Sequence, residues 1–375
     1  MGVSGPTAVF LSSLTAIPIS YVLNKASSMT DPRLILLCGV LVLVFVTIIP
    51  YLTVKYRPQK TDSFFYVLSI FTFSSVIDLV IALENDGIIA DFMAFYLREG
   101  EPYLKTAYGT MIAYWDGVAH YAMYLTILAA QSWGQSYREV GLYWAGSIGH
   151  SMFVFMPGIL MGEHGIRWPC LLNLPYLIIP VLAGAKFLRG RPQEKEETSS
   201  RPEPPSIWRR PMDMFLILYL AAASVLAIVR FIGATGGNVT IGKYYLEKVE
   251  PYMSDPSLYP KVQMMVYLFY FLPYYGASIY GLIYPGEAWM SDWSLLHAGA
   301  AAQGQFSYIG ASLHNRTPYI HRVPQNSSAR LVFWLINLTL FLVPQVLAYR
   351  CLSNADFFKK QIKNKTSKAS KKKVT

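Results

Sequence analysis

The stretch REGEPYLKTAYGTMIAYWDGVAHY, residues 98–121, decides how this chain is to be read. It leaves a charged loop through Glu101-Pro102-Tyr103 and enters an apolar span that carries Asp116 and, four residues on, His120. The triplet returns as Glu250-Pro251-Tyr252, again ahead of an apolar span, and Tyr267 stands there near the place of Asp116. A unit used twice accounts for the recurrence. An ionisable group in hydrocarbon costs roughly 2.5 kcal/mol or more, so the acids kept in the first copy mark it as the place to look for a site.

Working outward, 53% of the 375 residues are hydrophobic and only 14% charged, too apolar and charge-poor for an ordinary soluble enzyme. The apolar residues fall in runs of the length a bilayer crossing needs, about 20 residues. These runs predict spans over 6–24, 34–54, 64–83, 108–130, 140–161, 168–188, 211–233, 262–284, 293–313 and 331–349. The expected fold is therefore all-α, a polytopic membrane protein of about ten transmembrane helices. Its parts are an N-terminal hairpin (1–60), a four-helix module (61–189), a linker (190–210), a second four-helix module (211–350) and a basic tail (351–375). Pro180 and Pro344 sit deep in the last span of each module, which supports the duplication.

Lys and Arg in short loops are held on the cytosolic side. Lys55, Arg57 and Lys60, the basic residues around the linker, and the lysine-rich tail all fall on one side of the ten-span reading. Both termini are then cytosolic and the 85–106 loop is lumenal. The formal charge of +10 resides largely in the linker and tail, where basic residues meet lipid headgroups or set orientation, so no nucleic-acid partner is implied. Cys38, Cys170 and Cys351 are scattered without metal spacing; neither metal, cofactor nor disulfide framework is expected. No removable targeting segment is evident at the N-terminus. Lys372 and Lys373 near the C-terminus have the arrangement of a dilysine retrieval signal, which a lysine-rich tail also produces by accident.

Candidate chemistry gathers in the third and fourth spans. Asp78 lies inside FTFSSVIDLVIALE, and the Asp116–His120 spacing puts both side chains on one helical face. Either acid can anchor a cationic or hydroxyl-bearing ligand. The same residues also fit a structural part, hydrogen-bonding neighbouring helices together. Tyr114, Trp115 and Tyr121 flank Asp116 as candidate pocket walls, although interfacial aromatic belts produce similar enrichment. His150 and His297 read as core residues, and Arg230, near the lumenal end of its span, as a snorkelling side chain.

With FSSVIDLVIALENDGIIADFM (73–93), the 98–121 stretch, DPSLYPKVQMMVYLFYFLP (255–273), QFSYIGASLHNRTPYIHRVP (305–324) and LAYRCL (347–352), the sequence closely resembles the transmembrane 6 superfamily, members one and two, with wording nearer the first in GIIADFM and YLREGEPYL. That resemblance implies two EXPERA modules, four-helix units also found in the emopamil-binding sterol isomerase and the sigma-2 receptor. It implies that Asp78 and Asp116 are similar to the two membrane acids lining the receptor's cavity for sterols and cationic amphiphiles. The isomerase uses a His and a Glu four residues apart, where this chain has Ser74 and Asp78; without the His, a proton-transfer group of suitable pKa is missing. Relatives with lumenal cysteines before the eighth span differ from this chain, which has 233–238 as GATGGN.

The expectation is a multi-pass endoplasmic reticulum protein, with Golgi-intermediate or lysosomal membranes as further addresses, that binds a sterol or related lipid and regulates its export or storage. A sterol double-bond isomerase using Asp78, Asp116 and His120 is the first alternative, and a lipid transporter or scramblase the second.

Overall fold

The computed structural model describes residues 4–26, 29–55, 62–191, 205–237 and 239–358. Arg57, Lys60, Asn238, most of the linker, and Lys372 and Lys373 lie outside them. All ten predicted spans are helical, with ends within a few residues of those expected. The first is broken at Thr15 into α1 (Gly5–Leu14) and α2 (Ala16–Lys25), and α3 (Pro32–Val54) returns beside it. The first module consists of α4 (Phe64–Asn85), α5 (Ala107–Trp115) continued by α6 (Tyr121–Ser132), α7 (Arg138–Met161) and α8 (Leu174–Arg189). The second consists of α9 (Pro211–Ala234), a short α10 (Thr240–Lys248), α11 (Tyr259–Val266) continued by α12 (Leu272–Ile283), α13 (Trp289–Leu313), α14 (Ser327–Ser353) and a final turn α15 (Ala355–Phe358).

Among the described residues, eight helical runs are both long enough and apolar enough to cross a membrane, fewer than the ten predicted. The two that fall short in apolarity are Ala107–Ser132 and α13, and the reason is their position. At 25 residues, α13 is about 37 Å long, ample for a crossing, yet most of it is buried among other helices and it carries Gly, Ala, Ser and Gln. A helix wrapped by protein needs no lipid-facing surface. The opposite extreme is α3, whose Leu37, Leu41, Val44 and Phe45 are exposed and whose apolar run meets lipid directly.

Pairings locate the two ends of the bundle. Lys25–Asp91 and Asp86–His314 close one end. Arg138 clamps Asp292 through both guanidinium nitrogens at the other, where Asp213 is held between Arg210 and Arg350. The Arg138–Asp292 fork also ties one module to the other.

The duplication is written into the backbone. Glu101 has φ −130°, ψ 73° and Glu250 φ −134°, ψ 69°, and each opens a 3₁₀ turn, Pro102–Lys105 and Pro251–Ser254. The following span in each copy is interrupted by one π turn, Asp116–His120 in the first and Tyr267–Phe271 in the second, so Tyr267 is the counterpart of Asp116. The modules meet along α7 and α13 with mirrored contacts. A side chain at Gly146 would strike the Leu296 carbonyl, and one at Gly299 would strike the Tyr143 carbonyl. Only glycine permits so close a crossing. One turn further, His150 Nδ1 lies 2.6 Å from Gln303 Oε1 across the same seam.

Candidate functional site

The first module and the N-terminal hairpin together bound a cavity of about 180 Å³, walled by α2, α3, α4, the 93–104 segment, α5 with its π turn, α7 and the start of α8 with the turn before it. A water needs about 10–15 Å³ of such space, so this is a chamber rather than a packing fault. Its walls are largely aliphatic, with Leu23, Val42, Leu43, Phe73, Ile77 and Met152 among them, and its polar lining is confined to a few side chains.

Four of these carry a carboxyl or imidazole group: Asp78, Asp116, His120 and Glu101. Asp116 lies in the π turn, where an extra residue per turn widens the helix. Ser75 Oγ donates to Asp116 Oδ2 at 2.6 Å, and His120 Nδ1 lies 2.6 Å from Asp116 Oδ1. His120 Nε2 lies 2.8 Å from Ser147 Oγ, which accepts a bond from Trp115 Nε1 at 2.9 Å. The indole N–H can only donate, so Ser147 Oγ accepts from Trp115 and still has its proton and a second lone pair for other partners, while His120 bridges Ser147 and Asp116 through its two ring nitrogens. Asp78 faces the same space from α4, within reach of Asp116. The Asp116 carboxyl is thus oriented by Ser75 of α4 and His120 of its own π turn, while Asp78 faces the chamber beside it.

Glu101 sits beyond the end of α4, outside the spans, with its side chain turned inward and only 2% exposed. Tyr103 donates to Glu101 Oε1 at 2.8 Å and Asn173 Nδ2 donates to the same oxygen. Burial pushes the Glu101 carboxyl up to about 7, with the Tyr103, Tyr96 and Asn173 bonds pulling the other way. Tyr176, bonded to Ser74, adds a hydroxyl to the cavity wall.

Of the residues singled out from sequence, Asp78, Asp116 and His120 come together here. Tyr114, Trp115 and Tyr121 lie outside the lining. Tyr114 donates to Asp86 at 2.8 Å, Trp115 packs at 5.0 Å on Phe306 of the other module, and Tyr121 pairs with Ser13 of α1 at 3.0 Å. Glu101, Asn173 and Tyr176 line the cavity without having been marked beforehand. A signal existed: Asn173 precedes Pro180 by seven residues in NLPYLIIP, and Asn337 precedes Pro344 by seven in NLTLFLVP. Both asparagines donate to the glutamate of their own Glu-Pro-Tyr triplet, Asn337 to Glu250 Oε1 at 2.9 Å.

In the second module a cation takes the equivalent place on the scaffold. Arg230, expected to snorkel, is 1% exposed and ion-paired with Glu250, because α14 and Tyr308 cover the end of α9 and leave the guanidinium no route to water. Tyr267 accepts bonds from Gln263 and Gln305, both at 2.9 Å. His150 and His297 are buried core residues, as expected, with His297 stacked on Tyr274 at 4.2 Å between centroids.

Residues 15–198 match the family described as "Transmembrane 6 superfamily member 2-like, transmembrane domain", and residues 239–351 match "EXPERA (EXPanded EBP superfamily)". Among curated proteins, transmembrane 6 superfamily member 2 of Mus musculus is 41% identical over 354 residues, covering 92% of each chain. The Homo sapiens protein of the same description is 39% identical over 351 residues, again with 92% of each chain covered. No solved structure matches the chain.

Proposed function

This chain belongs to the transmembrane 6 superfamily, and from that premise we propose that its first module binds a sterol or related lipid in the endoplasmic reticulum membrane and regulates lipid export or storage. The supporting observation is the cavity: an apolar chamber opening on a small group of carboxyls suits a ligand that is hydrocarbon over most of its length and carries one hydroxyl or amine. In this reading Asp78 and Asp116 hold the polar end of the ligand, and His120 and Ser147 keep Asp116 in the required rotamer. Both termini are cytosolic, and the first module is an EXPERA unit like the second.

A second reading draws on the same group. Asp78, Asp116, His120 and Glu101 around one apolar space are also what a double-bond isomerase would use to deliver a proton on one side of a ring and remove one on another. One experiment separates the two. The protein is purified in mild detergent, co-purifying lipids are identified by mass spectrometry, and the preparation is incubated with a sterol carrying one ring double bond. Binding predicts an enriched lipid in wild type that is lost in Asp116→Asn, with the sterol unchanged. Isomerised sterol made by wild type and not by the variant would transfer the assignment to the enzyme. No enriched lipid and no product would reject both.

A further inference from the structure

α4 and α9, each ending sixteen residues before its glutamate of the Glu-Pro-Tyr triplet, can be laid on one another, and Arg230 of α9 differs from its counterpart in both size and charge. It stands four positions before the end of α9 at Ala234, and Ile81 stands four positions before the end of α4 at Asn85. Ile81 lines the first module's cavity. By the same register Asp78 corresponds to Ala227, and across the π turns Asp116 corresponds to Tyr267 and His120 to Phe271. The first module therefore keeps a glutamate–asparagine pair beside open space. In the second, the equivalent pair of Glu250 and Asn337 is met by the guanidinium of Arg230, which bonds both and lies 5.3 Å over the Tyr308 ring.

We propose that Arg230 is a built-in occupant of the second module's ligand site. Its aliphatic stem and cationic fork fill, from within the chain, the volume and the anchoring position that the first module leaves to an external amphiphile. Glu250 accepts Arg230 and Asn337 through Oε1 and the Tyr308 hydroxyl through Oε2, and Asn337 Oδ1 accepts from the same guanidinium nitrogen, so a carboxylate and an amide oxygen meet one edge of a cationic head. Removing the side chain uncovers a second site, for an amphiphile whose head is a cation with N–H donors.

The test uses the full chain in mild detergent and a photoactivatable dodecylguanidinium, with labelled peptides mapped after irradiation and digestion. In wild type, α9 and α14 stay at background. In Arg230→Ala, labelling of α9 and α14 rises at least fivefold, is competed by unlabelled dodecylguanidinium, and falls back to background when Glu250→Gln is added. Labelling of α9 and α14 in wild type at the level of the variant overturns the proposal, as does a folded Arg230→Ala that gains none. If Arg230→Ala folds poorly alone, methylguanidinium should raise its thermal midpoint while leaving wild type unmoved; a destabilised variant indifferent to methylguanidinium overturns the proposal equally. Labelling within α4 to α8 reports on the first module alone, so the failure of one reading is distinguishable from the failure of the other.

Discussion

The two modules share a backbone and differ in what fills it. In the first, Glu101 is met by the neutral donors Tyr103 and Asn173 and faces a chamber that also holds Asp78 and Asp116. In the second, Glu250 is met by a cation from its own module, and Ala227, Tyr267 and Phe271 stand where the first has acids and a histidine. The scaffold of triplet, 3₁₀ turn, π turn, asparagine and proline is therefore a frame independent of its contents. Chemistry is decided by four or five side chains hung on it.

The largest test of this contrast is electrostatic. Glu250→Gln strands a buried guanidinium and should cost about 3–5 kcal/mol, read as a fall in the unfolding midpoint in detergent. Glu101→Gln removes no cation's partner and should cost about 1 kcal/mol. Equal losses would erase the distinction between a closed and an open module.

Next comes pH. Glu101 is pushed up to about 7 in the folded protein from an ordinary value of 4.5, so the folded state holds its proton over a range where the unfolded chain has released it. Stability is then full below about 4.5 and lost progressively as pH rises to about 7, by roughly 3 kcal/mol. Glu101→Gln should flatten that slope in unfolding measured from pH 4.5 to 7.5, and a slope unchanged by the substitution would assign it to other groups.

The seam gives a third test. Gly146→Ala and Gly299→Ala each force a methyl group against a facing carbonyl and should each cost about 1–3 kcal/mol. Similar losses would support the mirrored crossing of α7 and α13; a tolerated substitution on one side would show that the seam is asymmetric.

The finest test is of binding. Asp78→Asn and Asp116→Asn should lower crosslinking to a photoactivatable sterol about tenfold, near 1.4 kcal/mol, with stability changed by no more than about 1 kcal/mol. Tyr267→Phe, the matching position in the closed module, should leave crosslinking intact. Collapse of folding in both Asn variants would instead assign the acids to holding the bundle together.

Much of this was legible in the sequence because hydrocarbon imposes a length and a composition on anything that crosses it. The spans were readable on that ground, and Asp78, Asp116 and His120 stood out because polar residues in such runs are rare. Glu101 was hidden by its neighbours. Flanked by Arg98, Glu99 and Lys105, it resembles any loop acid, and only the 3₁₀ turn after Pro102 brings its side chain inward. Arg230 was misjudged for the converse reason: a basic residue near a span end normally reaches water, and the cover provided by α14 is a tertiary fact. Tyr114, Trp115 and Tyr121 straddle the π turn, whose extra residue shifts the helical phase that a 3.6-residue reading assumes. The paucity of apolar residues in α13 likewise became intelligible only once the helix was seen to be wrapped by others.

The mirrored glycines at Gly146 and Gly299 have one further implication. Each of the two glycines faces the carbonyl three positions upstream of the other, which is the pattern of an isologous contact between identical subunits. The two halves of the chain thus meet as two protomers joined in tandem would. A true homodimer must spend any substitution on both halves at once, so it has two chambers or none. Tandem fusion lifts that constraint and fixes the stoichiometry at one open half to one filled half. On the proposed binding role of the first half, the filled half is then free to serve as a rigid partner that keeps it in shape whether or not its chamber is loaded.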